Sequence, residues 1–247
     1  MPCGESAVPD SPAGTLNFRD LGGLPVGPGR RTRHGVLFRS DTLQALTDDD
    51  VALLVDRLGL EVVIDLRVGD EAVEQGRGPL VRQDVTYLNA PLREAAPNDE
   101  PPARQALLFS LMHLEAPTSV LGSVLRAAAA FAGRPTVVHC AAGKDRTGLV
   151  VALVLALAGV DREAIVADYL ASAPNMDAVK ARFATWPRYA AHMARVAPEM
   201  YLAHESTVRG VLDTLDTRYG GVQGWALARG LDEALLARFP DLLTEPG

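Results

Sequence analysis

The chain has 247 residues, 48% of them apolar, and a formal net charge of −7. That is enough apolar content for a large buried core, and the acidic balance argues against nucleic acid or an anionic membrane surface as the main partner, so an anionic ligand must be held by local charge. The two cysteines, Cys3 and Cys140, make no disulfide framework, no signal-peptide pattern opens the chain, and the longest apolar run, Leu149 to Ala158, is far too short to span a bilayer; a reducing cytoplasm is expected.

Residues 1–15, rich in Pro, Gly, Ser and Ala, read as a mobile tail ahead of a single domain over 16–247. Asn17 to Gly23 ends in a turn, and Arg19 and Asp20 read as a structural ion pair beneath the functional loop, the alternative being a place on its rim. Val36 to Phe38 forms a strand ending in Arg39-Ser40-Asp41. Thr47 then caps a helix whose acidic first turn, Asp48 to Asp50, suits the positive end of the helix dipole, and Gly59 stops it. Glu61 to Arg67 reads as a central strand because Val62, Val63 and Ile64 run without alternation. Asp65 and Arg67 share a face at its end, and Asp65 is expected to orient Arg146 or a backbone turn, the alternative being an approach to the functional loop. A further strand covers Val85 to Leu88; the polar stretch from Arg93 to Pro102 and, after a short link, the helix over Ala106 to Leu114 read as a loop and flap, and Val120 to Ala132 is the next helix.

Pro135 to His139 has the β-branched pattern of a buried strand, and Leu149 to Ala158 is a run of good helix formers. Asp161 to Ala171 is the next helix. Residues 175–201 differ in character: Met176, Phe183, Trp186, Tyr189, Met193 and Met200 lie among arginines, with Pro187 and Pro198 interrupting, which fits either ordinary core or a lid. A stripe of Val208, Val211, Leu212, Leu215 and Tyr219 makes a helix ended by Gly220-Gly221, and Leu231 to Phe239 makes the last one. Together these predict an α/β fold with a four- or five-stranded, mainly parallel sheet flanked by helices.

The chemistry sits in the tight turn between strand and helix, Cys140 to Thr147. Gly143 and Gly148 permit backbone approaches that side chains would obstruct, so the N–H groups of Ala141, Ala142, Gly143, Lys144, Asp145 and Arg146 can converge on one anion with a helix N-terminus behind them. Those surroundings favour a thiolate at Cys140. Arg146 supplies a planar charged fork for two oxygens of a phosphate, and the Thr147 hydroxyl is expected to donate to the sulfur as it departs. The pattern points to phosphate ester hydrolysis through a cysteinyl-phosphate. A Walker loop is excluded by Asp145, which stands where a magnesium-binding Ser or Thr belongs, and His139 cannot serve Cys140 as base, because neighbours on a strand face opposite ways.

His139 to Thr147 resembles the signature of the cysteine-dependent protein tyrosine phosphatases, and its Gly-Lys-Asp-Arg-Thr-Gly form resembles a bacterial branch that includes a secreted member. Asn17 to Gly23, Ile64 to Arg67 and Ile165 to Leu170 are similar too, so the resemblance spans most of the chain. It implies a phosphoprotein substrate, phosphotyrosine above all, no metal or other cofactor, helices after the loop that cover the active site, and export without a recognisable signal as the alternative to a cytoplasmic life. Lys144 resembles the extra loop lysine of lipid phosphatases and motivates a phosphoinositide substrate as a second reading. A phospho-ligand binding module without turnover is the third. The Trp-Pro-Asp loop of the eukaryotic enzymes is missing, since Trp186-Pro187 follows the signature and continues into Arg188. The general acid is therefore expected at Asp145, where repulsion from bound phosphate favours the protonated carboxyl. Asp65 is the alternative, and an Asp145 that only braces the loop is a further one.

Overall fold

The computed structural model describes residues 11–93, 99–116 and 119–247. Positions 1–10 of the expected tail and 94–98 of the expected flap loop lie outside the described residues. In chain order the strands are β1 (Arg19–Asp20), β2 (Arg30–Thr32), β3 (Leu37–Ser40), β4 (Val62–Asp65), β5 (Thr86–Asn89), β6 (Thr136–His139) and β7 (Thr244–Pro246). The helices are α1 (Asp48–Val51), α2 (Gly69–Gln75), α3 (Pro102–Glu115), α4 (Leu121–Ala130), α5 (Asp145–Leu157), α6 (Arg162–Leu170), α7 (Met176–Ala184), α8 (Pro187–Met193), α9 (Glu205–Tyr219), α10 (Val222–Ala228) and α11 (Glu233–Leu243).

Five strands form one sheet in the order β1-β3-β6-β4-β5, parallel except for the antiparallel β1–β3 pair. The interior strands are β3, β4 and β6, and every residue of them is buried, as a parallel sheet covered on both faces requires. The sheet and its flanking helices match the expected α/β class. A second, two-stranded sheet, β2 with β7, has no counterpart in the sequence reading, because Arg30, Arg31 and Glu245 alternate with nothing apolar.

Central β6 runs directly into α5, which is buried on nearly every side, from Leu149 through Leu155 and again at Leu157. A helix with no polar face must be enclosed, and α3, α4, α6, α9, α10 and α11 surround it. The effect is to fix the start of α5, and hence the turn before it, on the most deeply packed element of the molecule. Thr47 caps α1 as expected, its hydroxyl accepting the Asp50 N–H while Asp50 accepts the Thr47 N–H.

Residues 11–15 depart from the expected tail. Pro12, Gly14 and Thr15 are buried, and the Asp50 carboxylate accepts the N–H groups of Ala13 and Gly14 at 2.6 and 2.9 Å. Low apolar content misled here, because backbone groups rather than side chains hold this stretch.

Candidate active site

The turn from Cys140 to Lys144 leaves the carboxyl end of β6, where ligands bind in parallel α/β sheets. Gly143 has φ +67°, and a Cβ there would lie 2.5 Å from the Ser40 carbonyl oxygen; one on Gly148 would lie 2.7 Å from Tyr169 Cδ2. Both glycines are therefore required by close approach. The carbonyls of the turn are held from outside: Asn17 Nδ2 donates to those of Ala142 and Gly143 at 3.1 Å each, Arg39 Nη2 to that of Gly143 at 2.6 Å, and the Thr42 N–H to that of Ala141 at 3.0 Å. The N–H groups of Ala141 through Asp145, by contrast, donate to none of the described residues. An array of unpaired donors at a helix N-terminus is an anion cradle.

Cys140 lies at the floor of a cavity of about 670 Å³, 3% exposed, with Ala141, Ala142, Lys144, Asp145 and Arg146 around it and the aromatic rings of Phe109, Phe183, Tyr189 and Tyr201 in the walls. Its thiol is free. Arg146 is held by a residue that the sequence reading missed: Glu71, near the start of α2, accepts Nη1 at 2.8 Å and Nη2 at 3.3 Å. Burial opposes the charge on Glu71, but Arg146, the Tyr189 hydroxyl and nearby Arg67 outweigh it and hold the carboxyl below the ordinary value. A short polar helix following Val68 gave no sequence signal for that role.

A second layer of charge braces the turn. Asp168 on α6 takes Arg19 Nε at 2.8 Å and also Arg39 Nη1, while Arg19 reaches Asn17 Oδ1 at 2.7 Å. The expected Arg19–Asp20 pair is thus replaced by Arg19–Asp168. Neighbours on a strand face opposite ways, and Asp20 instead meets the N–H groups of Gly22 and Gly35 and the His34 ring.

Asp65 is fully buried away from the cavity lining, gripping Arg67 through both Nε and Nη2 (2.7 Å from Oδ2 to Nη2) and accepting the Tyr87 hydroxyl at 2.7 Å. Burial works against its charge, yet His139, Arg67 and Tyr87 hold the carboxyl well below the usual carboxylate range. Of the two structural roles expected of Asp65 it takes the turn, accepting the Arg67 N–H at 2.9 Å, and the orienting of Arg146 falls to Glu71. His139 bonds backbone, Nδ1 lying 3.2 Å from the Cys140 carbonyl, with Nε2 3.6 Å from Asp65. Asp145 lines the cavity, its carboxylate one-third exposed, with the Tyr169 hydroxyl donating to Oδ1 at 3.3 Å and Lys144 Nζ 3.4 Å from Oδ2.

Two expected roles change. The Lys144 ammonium, the motive for a phosphoinositide substrate, is 1% exposed and donates to the carbonyls of Met200 at 2.5 Å and Leu202 at 2.8 Å. The Thr147 hydroxyl is buried without a hydrogen-bond partner among the described residues, so no bond to the Cys140 sulfur exists in this state.

Over the cavity lie α7, α8 and the single turn Pro198–Tyr201, built on their own small apolar cluster of Met176, Val179, Phe183, Tyr189 and Tyr201, which packs on Ala141. The Phe183 and Tyr189 rings stack at 4.3 Å, and polar ties run from this layer to the rest: Arg182 to the Gly14 carbonyl at 2.8 Å and Asp41 at 3.3 Å, Arg188 to Asp70 and Glu74, and Tyr189 to Glu71 at 3.0 Å.

A family model described as the tyrosine phosphatase family matches residues 11–245. The triple specificity protein phosphatase PtpB of Mycobacterium tuberculosis is 30% identical over 273 aligned positions, covering 93% of this chain and 97% of that protein. A tyrosine-protein phosphatase of Nostoc commune is 29% identical, covering 85% of this chain and 74% of that protein. Among solved structures, TpbA of P. aeruginosa matches with a TM-score of 0.41 at 19% identity, covering 84% of this chain and 96% of that one. With a buried cysteine under a cradle of unpaired N–H groups, an arginine six residues on, and a match over nearly its whole length, the chain belongs to the tyrosine phosphatase family.

Proposed function

We propose that Cys140 attacks the phosphorus of a phosphomonoester bound in the cradle, forming an S–P bond as the P–O bond to the leaving group breaks. Asp145, the loop carboxyl in the cavity lining, gives its proton to the departing oxygen and then takes one from the water that attacks the cysteinyl-phosphate, releasing phosphate and the thiolate. Arg146 and the N–H groups of Ala141 to Asp145 hold the three equatorial oxygens while their charge redistributes. The observation that carries this reading is the set of unpaired loop donors beside a buried, free Cys140.

The aromatic walls favour an aryl ester, so phosphotyrosine in proteins is the first substrate class. The triple specificity for which the mycobacterial relative is named fits the size of the cavity, which leaves room for other phosphorylated groups. Arg188, His192 and Arg195 also line the cavity, and that basic lining supports a phosphoinositide as the second reading. We further propose that residues 175–201 are a lid that opens to admit substrate, and that a reducing compartment keeps Cys140 competent.

Cys140→Ser should still bind a phosphotyrosine peptide while losing turnover of p-nitrophenyl phosphate by orders of magnitude, with the wild type active in chelator. Turnover retained in the serine variant would reject covalent catalysis at this residue. Wild type that binds the peptide but never turns over would reassign the protein as a phospho-ligand binding module.

A further inference from the structure

Gly148 lies inside the first turn of α5, three residues beyond Asp145, and the ring of Tyr169 on α6 occupies the place of its missing side chain. A Cβ at Gly148 would come within 2.7 Å of Cδ2 and 2.8 Å of Cε2 of that ring, so a larger residue would push the ring off the helix. Residues three apart on a helix are neighbours on its surface. The ring seated on Gly148 therefore carries its hydroxyl to Asp145, where it donates to Oδ1 at 3.3 Å. That is long for an O–H donor, as catalytic hydrogen bonds are before substrate arrives.

Among the described residues this hydroxyl is the one hydrogen-bond donor to the Asp145 carboxylate. Lys144 Nζ lies 3.4 Å from Oδ2 but gives its hydrogen bonds to the Met200 and Leu202 carbonyls. A carboxylate one-third exposed, with two torsions to turn about, would otherwise lose its aim. Tyr169 is fixed where Asp145 is not: it is 3% exposed, and burial, with the Asp145 charge beside it, pushes its hydroxyl well above the ordinary tyrosine value, so it stays a donor. Buried with no other acceptor among the described residues, its proton goes to Oδ1. A carboxylic acid accepts through its carbonyl oxygen and donates through the other. With Oδ1 committed, the proton belongs on Oδ2, and the charge that its departure leaves there meets the Lys144 ammonium.

We infer that Tyr169 is a positioning residue for the proton transfer: its hydroxyl commits Oδ1 of Asp145 as acceptor so that Oδ2 carries the proton to the departing oxygen, and Gly148 leaves the space in which the ring sits. This rests on Asp145 as the general acid. In the first step the Oδ2–H bond breaks as an O–H bond forms on the leaving group; in the second, Oδ2 takes a proton from the attacking water, and Tyr169 holds Oδ1 through both.

The test compares two esters, p-nitrophenyl phosphate, whose leaving group needs little protonation, and a phosphoserine peptide, whose alkoxide needs much. Tyr169→Phe keeps the ring on Gly148 and should lower kcat on the phosphoserine peptide about tenfold, part of the roughly 10²- to 10⁴-fold that a general acid contributes, while kcat on p-nitrophenyl phosphate changes less than about twofold and KM stays level on both. The pair Tyr169→Phe with Asp145→Asn should be no slower on the peptide than Asp145→Asn alone, because the hydroxyl acts only through the carboxyl that it aims. No loss in Tyr169→Phe, an equal loss on both esters, or losses that multiply in the pair would overturn the inference. Partial unfolding of the variant does not blur the result, since the ratio of the two rates is independent of how much enzyme is folded. Asp145→Asn separates the two readings: if it slows both esters alike, the acid itself is misassigned, whereas a selective Asp145→Asn beside an unselective Tyr169→Phe sinks the positioning alone.

Discussion

Replacing Lys144 with methionine keeps the length and volume of the side chain and removes its charge and three donors. Two of those donors reach the carbonyls of Met200 and Leu202 at 2.5 and 2.8 Å, and hydrogen bonds from a charged donor contribute about 1.5 to 3 kcal/mol each. Water reaches the exposed Leu202 side of the site and re-pairs part of what is lost, which places the net cost at the lower end, about 3 kcal/mol. For a chain of this size that is a fall of roughly 6 to 12 °C in the unfolding midpoint. The turn Pro198–Tyr201 would detach from the loop it roofs, so hydrolysis of a phosphotyrosine peptide and of a phosphoinositide should fall by similar factors. Thermal unfolding by circular dichroism and kcat/KM on the two substrates are the measurements. A loss of less than about 1 kcal/mol, together with a selective loss on the phosphoinositide, would refute this account and restore Lys144 as a substrate contact.

Asp145→Asn should slow an alkyl phosphate by about a hundredfold or more while p-nitrophenyl phosphate, whose leaving group needs little protonation, loses under about tenfold; equal losses, or the same leaving-group dependence in Asp65→Asn instead, would move the acid. Burial pushes the Asp41 carboxyl from 3.8 up to about 6, against the Leu16 and Asn17 N–H groups and Arg182. A carboxyl raised on folding adds stability that is complete below its unfolded value and lost as pH rises through its folded one, here between about pH 4 and pH 6 and worth roughly 3 kcal/mol at most. Urea unfolding across that window should show the wild type losing stability relative to Asp41→Asn as pH rises, and a flat difference would refute it. Cys140 should react with iodoacetate faster than Cys3 at mildly acidic pH and be protected by phosphate, and equal rates would mean the cradle does not activate it.

The strand and helix around the loop were legible because their signals are local: β-branched runs bounded by turn residues, an apolar helix too uniform to face water, and two glycines at the points where a Cβ would strike Ser40 or Tyr169. The motif named the residues of the cradle for the same reason. What could not be read was who holds them. Glu71 lies 75 residues before Arg146 and Asp168 lies 129 after Arg39, and no periodicity encodes a pairing across such gaps. Lys144 was misjudged in its surroundings rather than its chemistry, since an ammonium in a phosphate loop looks the same in sequence whether or not a neighbour already occupies it.

Four of the bonds that shape the cradle join distant parts of the chain: Asn17 to the Ala142 and Gly143 carbonyls across 125 and 126 residues, Arg39 to Gly143 across 104, and Tyr169 to Asp145 across 24. No local folding unit contains them. The nucleophile therefore has no cradle until the amino-terminal segment, the sheet and α6 have all docked, and a chain emerging from the ribosome cannot hydrolyse phosphate esters while its carboxyl-terminal half is still being made. Contacts of such sequence separation form late and slowly, so enzymatic activity during refolding should appear with the last kinetic phase rather than with the first gain of helix, and turnover becomes a reporter of the completed fold.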